Sequence, residues 1–546
     1  RLSGLASVTQ RVQAAGHHVI KAGADIEEQT YDSARQYSNG ARYIQVASGA
    51  WVIRRFLGPD GEEIAPGDDL SADTRTRNLG AYVQDSWSIL PNLTVNAGLR
   101  WERQTLYSAS QLVGQISPNT GEEIGEEAFT LNNMLAPRVG VIYDWTQEGR
   151  SKVYGHYGRF YESIPMDINV RAYGGESIYQ NVVHPDFCDP FDPVNTCDEV
   201  GGLLQTQAAG GSDTLVQPGL GAQYLDEIVV GTEYEILPDL KLGAAYIRRD
   251  LGRIIEDIST DGAHNYFIAN PGEFDADEVA ALRAEAMTET DPERAAYLRT
   301  LADLTEGSAL FDSPKRTYDA LQITAERRFT KHFMMTASYT YSKLRGNFPG
   351  LFSTETGQLD PNLTSMYDLP ELMANRYGDL ASDRPHNVKV DGFYRLPVEQ
   401  VGYFTFGGRV RAASGAPINT LGGNLLYGTD ESFILPRGEA GRMGLTTRFD
   451  THLAYGRQLS DGMRLEAFVD IFNLFNQQPE LQVDQTYTFE TVNPIVGGDE
   501  EDLKHAKAFG VDLLPSNAAP VVNPNYKNTT VRQAPLSARF GLRLTF

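Results

Sequence analysis

The densest set of side chains able to do chemistry is the stretch Asp186-Phe-Cys-Asp-Pro-Phe-Asp-Pro-Val-Asn-Thr-Cys-Asp-Glu199. Asp186, Asp189, Asp192, Asp198 and Glu199 offer the hard oxygen ligands that calcium gathers several at a time, although without the spacing of an EF-hand loop. Cys188 and Cys197 are the two cysteines of the chain and stand in no zinc-type spacing. They are expected to pair as a loop disulfide, which belongs to an oxidising compartment. A solvated acidic loop tied by that disulfide is the plainer reading of the same residues. His17 and His18 could also ligate a metal, but no third ligand is near in sequence, and the pair reads more simply as the entry to a strand. Phe348, Phe352, Tyr367, Tyr427 and Phe433 fall in polar connecting stretches, where they could contact a peptide or glycan or form the cores of folded loops. No Gly-x-Ser-x-Gly elbow, His-Glu-x-x-His helix or Walker-type loop occurs, so an enzyme is not expected. Gly211-Ser-Asp213 and Asp383-Arg-Pro-His386 read as a loop and a strand start.

The elements that must position these residues are strands. No run of about eighteen uninterrupted apolar residues exists, which excludes a helical membrane span. The mean hydropathy of -0.35 is compatible with a barrel wall, in which every second residue faces lipid. In the last strand Leu536, Ala538, Phe540, Leu542, Leu544 and Phe546 share one face, with Arg539 and Arg543 on the other. Leu93, Val95, Ala97, Leu99 and Trp101 oppose Thr94, Asn96, Arg100 and Glu102; Leu465, Ala467, Val469 and Ile471 oppose Arg464, Glu466 and Asp470. Charges recurring on one face imply a hydrated interior. Asp85 breaks the pattern beside Val83 and Trp87, as does Arg327 beside Ile323 and Phe329, which places both near a membrane boundary.

Six tight turns, near residues 90–92, 147–150, 237–239, 330–332, 397–400 and 459–462, alternate with long connections, roughly 109–133, 164–222, 259–315, 346–383, 416–443 and 477–535. Short on one side and long on the other is the asymmetry of a bacterial outer-membrane barrel. The fold expected is therefore all-β, a transmembrane antiparallel up-and-down β-barrel with about fourteen to sixteen strands present, starting near 3–12 and 17–31. Residues 42–56 suggest an external hairpin, and two short helices split at Asp291-Pro292 are expected near 276–303. The formal charge of -25 argues against nucleic acid as a partner.

Tyr82-Val-Gln-Asp-Ser-Trp87 followed by Leu93-Thr-Val-Asn-Ala-Gly-Leu-Arg-Trp-Glu102 resembles the barrel hallmark of TonB-dependent outer-membrane receptors. His18-Val-Ile-Lys-Ala-Gly-Ala-Asp25, Tyr339-Thr-Tyr-Ser-Lys343, Asp383-Arg-Pro-His386 and Asp470-Ile-Phe-Asn-Leu-Phe-Asn476 extend the resemblance, in order over nearly the whole chain, to the Oar-like branch. The resemblance implies a barrel of about twenty-two strands closed by a plug. It also implies the outer membrane of a Gram-negative bacterium, with lipid, a TonB complex and an extracellular ligand as partners. Phe540, Leu542, Leu544 and Phe546 resemble the terminal signal read by the barrel-assembly machinery. On this expectation residues 1–546 are the C-terminal portion of one barrel, with the plug, the TonB contact and an N-terminal regulatory-like domain outside the chain. The function implied is energised import of a ligand bound by the long loops. The alternative is a non-transporting barrel for surface adhesion or assembly of secreted proteins.

Overall fold

The computed structural model describes all residues except 39, 46–50, 58–69, 118–119, 175–177, 185–202, 209–213, 261, 263–265, 331, 354, 356–364, 425–427 and 510–515. Among the described residues sixteen strands share one sheet, and fifteen of them follow one another in chain order. These are β1 (Leu2–Gln13), β2 (His17–Arg35), β3 (Leu70–Leu90), β4 (Leu93–Tyr107), β5 (Glu127–Tyr143), β6 (Ser151–Tyr161), β7 (Tyr224–Leu237) and β8 (Leu240–Arg253). They continue as β9 (Arg316–Thr330), β10 (Phe333–Gly346), β11 (His386–Val398), β12 (Gly402–Ala413), β13 (Thr446–Ser460), β14 (Met463–Phe472) and β15 (Ser537–Thr545). Each neighbouring pair is antiparallel. This is the expected up-and-down topology, at the expected strand number. Among the described residues β1 and β15 each pair on one side only.

The two faces separate as the alternation requires. On one face lie Val83, Leu99, Ile228, Val230, Leu321, Ile323, Phe406, Leu542 and Leu544, all exposed. On the other, cations and carboxylates meet across strands: Arg100 with Asp25 at 2.8 Å, Lys241 with Glu233 at 3.0 Å, Arg411 with Asp391 at 2.6 Å, Arg539 with Asp470 at 2.6 Å and Arg543 with Glu466 at 3.2 Å. The charged face is the lumen and the apolar face meets lipid. The lipid face is itself bounded by charge. At the loop end, Arg77 meets Glu28 at 2.8 Å and Arg159 meets Asp226 at 2.9 Å, while Arg248 reaches Asp250 at 2.6 Å and Asp319 at 3.3 Å. At the turn end, His18 Nδ1 lies 2.6 Å from Asp85, and its ring stacks on Trp87. On β9 the apolar stretch between Asp319 and Arg327 spans eight residue steps, roughly 26 Å along the strand and about 20 Å across the membrane once the strand tilts. The two residues that break the alternation thus sit where the apolar band stops.

Seven hairpin turns lie at one end of the wall; the seventh, at Ala14-Ala15-Gly16, adds to the six read from the sequence and uses positive φ at Ala15 (50°) and Gly16 (121°). In the β5–β6 turn the Asp144 carboxylate accepts from the Gly149 amide at 2.7 Å, the Thr146 hydroxyl at 2.6 Å and the Ser151 hydroxyl. Those donors, Ser151 first, hold it well below the usual carboxylate range. At the opposite end the connections fold. The expected hairpin forms from Arg42–Gln45 and Trp51–Leu57, and Ile178–His184 and Leu203–Ala208 extend it to four strands. Among the described residues three α-helices stand there: α1 (Met166–Tyr173), α2 (Ala276–Thr288) and α3 (Pro292–Gly307). Asp275 caps α2, and Asp291 caps α3 with Pro292 at its first position, which is why Asp291-Pro292 splits the insertion.

Lumenal aromatics lie over glycines on the adjacent strand. Tyr154 faces Gly231, Tyr403 faces Gly456, Phe468 faces Gly541 and Tyr82 faces Gly23, each pair directly opposed in register. A Cβ at Gly231 would come within 2.5 Å of the Tyr154 ring. Gly231→Val is therefore expected to destabilise the barrel by about 1–3 kcal/mol through overpacking. Tyr154→Ala in the same chain should relieve most of that loss, read as the urea midpoint of unfolding from lipid vesicles.

Candidate functional site at the loop face

The apolar clusters of the chain gather at the loop end, so the long connections are a folded cap with a core of their own. One cluster packs Leu106, Leu131 and Met134 from the ends of β4 and β5 against Ile164, Ile168 and Tyr173 around α1. A second holds Ile254, Ile258, Phe267, Phe311, Phe348 and Tyr367. A third is internal to the helical hairpin, with Val279, Leu282 and Ala286 of α2 against Leu298, Leu301 and Ala302 of α3. Arg294 fastens the hairpin to the β4–β5 connection through Glu122 at 2.7 Å.

Three connections are tied together at one polar knot. Asn375 takes φ of 62°, a left-handed conformation that Asn tolerates. Its side-chain amide nitrogen reaches the carbonyls of Phe433, Ile434 and Ile495 at 3.0–3.2 Å, and its oxygen accepts from the Gly497 amide at 3.2 Å. Arg376 donates to the carbonyls of Leu372 at 2.5 Å and Glu431 at 2.9 Å, while Arg437 donates to the Arg376 carbonyl at 2.6 Å and ion-pairs with Glu355. Both guanidiniums lie against the Phe433 ring, at 5.3 Å and 4.5 Å. Burial, and then the neighbouring Arg437 charge, pulls the Arg376 pKa down to about 10; burial raises Glu431 against the Ser365 hydroxyl that it accepts from.

The expected ligand aromatics divide. Phe348, Tyr367 and Phe433 are buried in this cap, where Tyr367 stands between Phe311 and Phe348 at ring distances of 6.2 Å and 6.3 Å. Phe352 is exposed, and Tyr427 lies outside the described residues. Cys188, Cys197, Asp186, Asp189, Asp192, Asp198 and Glu199, the expected disulfide and calcium set, also lie outside them. Among the described residues no group of three or more His, Cys, Asp or Glu is placed to hold a metal. Asp383 is buried at the rim, accepting from the Leu344 amide at 2.6 Å and pairing with Arg442, and His386 opens β11. The terminal residues Phe540, Leu542 and Leu544 stand on the lipid face of β15, and Phe546 follows its end, exposed. Sequence reading missed Asn375, Arg376 and Arg437. They follow no periodicity, and the hydrogen bonds that join them to other segments span 55 or more positions.

Arg437→Met leaves the Glu355 carboxylate buried without its cation, an expected local cost of about 3–5 kcal/mol. The cap should then be cut by protease far faster than in the natural chain, with the heat-resistant migration of the barrel unchanged.

Set against known proteins, the chain matches the family described as Outer membrane beta barrel domain over residues 8–432. It is 34% identical to the TonB-dependent transporter Oar of Myxococcus xanthus along 100% of its own length and 51% of that protein's, so it spans about half of that relative. Among solved structures, the outer membrane transporter YddB of Escherichia coli shares 12% identity, covering 88% of this chain and 51% of that one at a TM-score of 0.48. The siderophore receptor PiuA of Acinetobacter baumannii shares 11% identity over 99% and 55% of the two chains at 0.46. The assignment rests on the family match, which agrees with an antiparallel wall apolar outside and charged inside: the chain belongs to the outer membrane beta barrel domain family, and its place is the Gram-negative outer membrane.

Proposed function

We propose that this chain forms the C-terminal part of the wall, and the ligand-facing loops, of a TonB-dependent transporter that captures an extracellular ligand and imports it with energy from the TonB system. The observation that carries this reading is the cap: connections that build apolar cores and a buried polar knot above a hydrated, charged lumen form a preorganised binding face over a passage. The relative is about twice as long as the stretch this chain matches, which supports a wall continued by further strands of the same protein. On this reading a plug and a TonB contact lie elsewhere in that protein, and β15 is the strand that the barrel-assembly machinery engages. The relatives are transporters and receptors, which is the ground for reading no catalysis into the cap.

Orientation is tested first. In intact cells carrying the protein with Cys188 and Cys197 replaced by serine, Met287→Cys on α2, 81% exposed, should react with a membrane-impermeant maleimide. Asp461→Cys in the β13–β14 turn should react only after permeabilisation. Energised import then predicts that strains lacking this protein and strains lacking TonB leave the same solutes unconsumed in spent medium, as read by mass spectrometry. A deletion strain that alters surface or secreted proteins while TonB loss does not reproduce it sinks the transport reading in favour of an anchoring barrel.

A further inference from the structure

On β9 the apolar band of the lipid face stops at Asp319 on the loop side, and Asp319 pairs in register with Lys343 of β10. Lys343 thus stands at the loop-side margin of the membrane, the outer leaflet in a barrel with long external loops. Arg345, two residues on, shares that face and pairs with Asp379 of the short strand Gly378–Asp379. Lys343 and Arg345 are about half exposed, at 53% and 47%. Nearer the hydrocarbon, Tyr341 pairs in register with His386 of β11, and the Tyr339 hydroxyl lies 2.8 Å from His386 Nδ1.

Positive charge is in excess in this sector. Among the described residues Asp379 serves three cations, Arg442 at 2.6 Å, Arg345 at 3.1 Å and Lys343 at 3.6 Å, and the last is beyond hydrogen-bonding reach. Asp383, buried, is taken by Arg442, and Asp319 is engaged by the Tyr246 hydroxyl at 2.5 Å and by Arg248 at 3.3 Å. Elsewhere along the same margin the charges balance, Arg77 against Glu28 and Arg159 against Asp226. Two exposed rings flank the cations: Tyr377, 5.7 Å from the Arg345 guanidinium, and Tyr341. Nine strands of the wall lie on one side of β10 and five on the other, so a plug in the lumen or strands beyond β1 and β15 would not cover this outward surface.

We propose that this sector binds the headgroup of a phosphorylated glycolipid of the outer leaflet, with its phosphate at Lys343 and Arg345 and its sugar against the rings of Tyr341 and Tyr377. An ammonium and a guanidinium side by side at headgroup depth make charge-assisted hydrogen bonds to phosphate oxygens. Tyrosines at that depth hold an apolar ring toward the acyl chains and a hydroxyl toward the polar layer. The site needs the outer face of the wall alone and stands whether or not the protein takes part in energised uptake.

The test uses the intact protein extracted from outer membranes in mild detergent, with purified bis-phosphorylated lipid A as probe and native mass spectrometry as readout. Lys343→Gln combined with Arg345→Gln should weaken binding about tenfold or more, whereas Arg159→Gln, on the same face of β6, should bind as the natural chain does. Asp379 keeps Arg442 in the double variant, so the fold should stand, and heat-modifiable migration confirms it. Lipid A stripped of its phosphates should bind far more weakly. Equal binding of the stripped lipid, unchanged binding in the double variant, or an equal loss in Arg159→Gln overturns the proposal. So does phosphatidylglycerol that binds as tightly as lipid A and depends equally on Lys343 and Arg345, because the occupant would then be a phospholipid.

Discussion

Every backbone N–H and C=O in hydrocarbon has to find its partner inside the protein, because lipid supplies none. Nearly everything in this chain answers to that constraint. Long strands hydrogen-bonded to chain neighbours on both sides satisfy it from β2 to β14. The short turns keep successive strands adjacent, and the Asp144 turn shows how polar groups at a reversal are saturated by the turn's own hydroxyls and amides. Where the constraint bites hardest, at β1 and β15, each edge has one paired neighbour among the described residues.

The same constraint turns the usual arrangement of a protein inside out. Across the span of the apolar band the wall places its apolar side chains outward and pairs charges inward, as Lys241 with Glu233 and Arg539 with Asp470. Packing along the lumen is done by aromatics laid over glycines, Tyr154 on Gly231 and Phe468 on Gly541 among them. The apolar cores sit at the loop end, where water surrounds the chain and burial is favourable again. The buried pairing of Arg437 with Glu355 belongs to that cap as well, with Arg437 against the Phe433 ring and donating to the Arg376 carbonyl.

Most of the wall was legible in the residues. Period-two alternation located the strands, and the face of Arg539 and Arg543 is the one that meets Asp470 and Glu466. Even the exceptions were informative, since Asp85 and Arg327 stand at the margin of the apolar band. The seventh turn escaped notice because Ala14-Ala15-Gly16 carries weak turn chemistry. The loop face was legible only in part. Asp291-Pro292 announced a helix boundary, but Phe348, Tyr367 and Phe433 read either as ligand contacts or as cores of folded loops, and the structure buries them, a choice that depends on partners far away in sequence.

By itself the sequence determined the strand faces, the order of turns and long connections, and hence an outer-membrane wall, because a period of two and the reach of a tight turn are local properties of the chain. Only the tertiary structure decided what the connections become. It made Asn375, Arg376 and Arg437 the knot of the cap and brought Lys343, Arg345 and Arg442 around the Asp379 carboxylate at the membrane margin. Those outcomes depend on cross-strand register and on loops meeting above the barrel, and no local pattern encodes which distant residue will lie opposite.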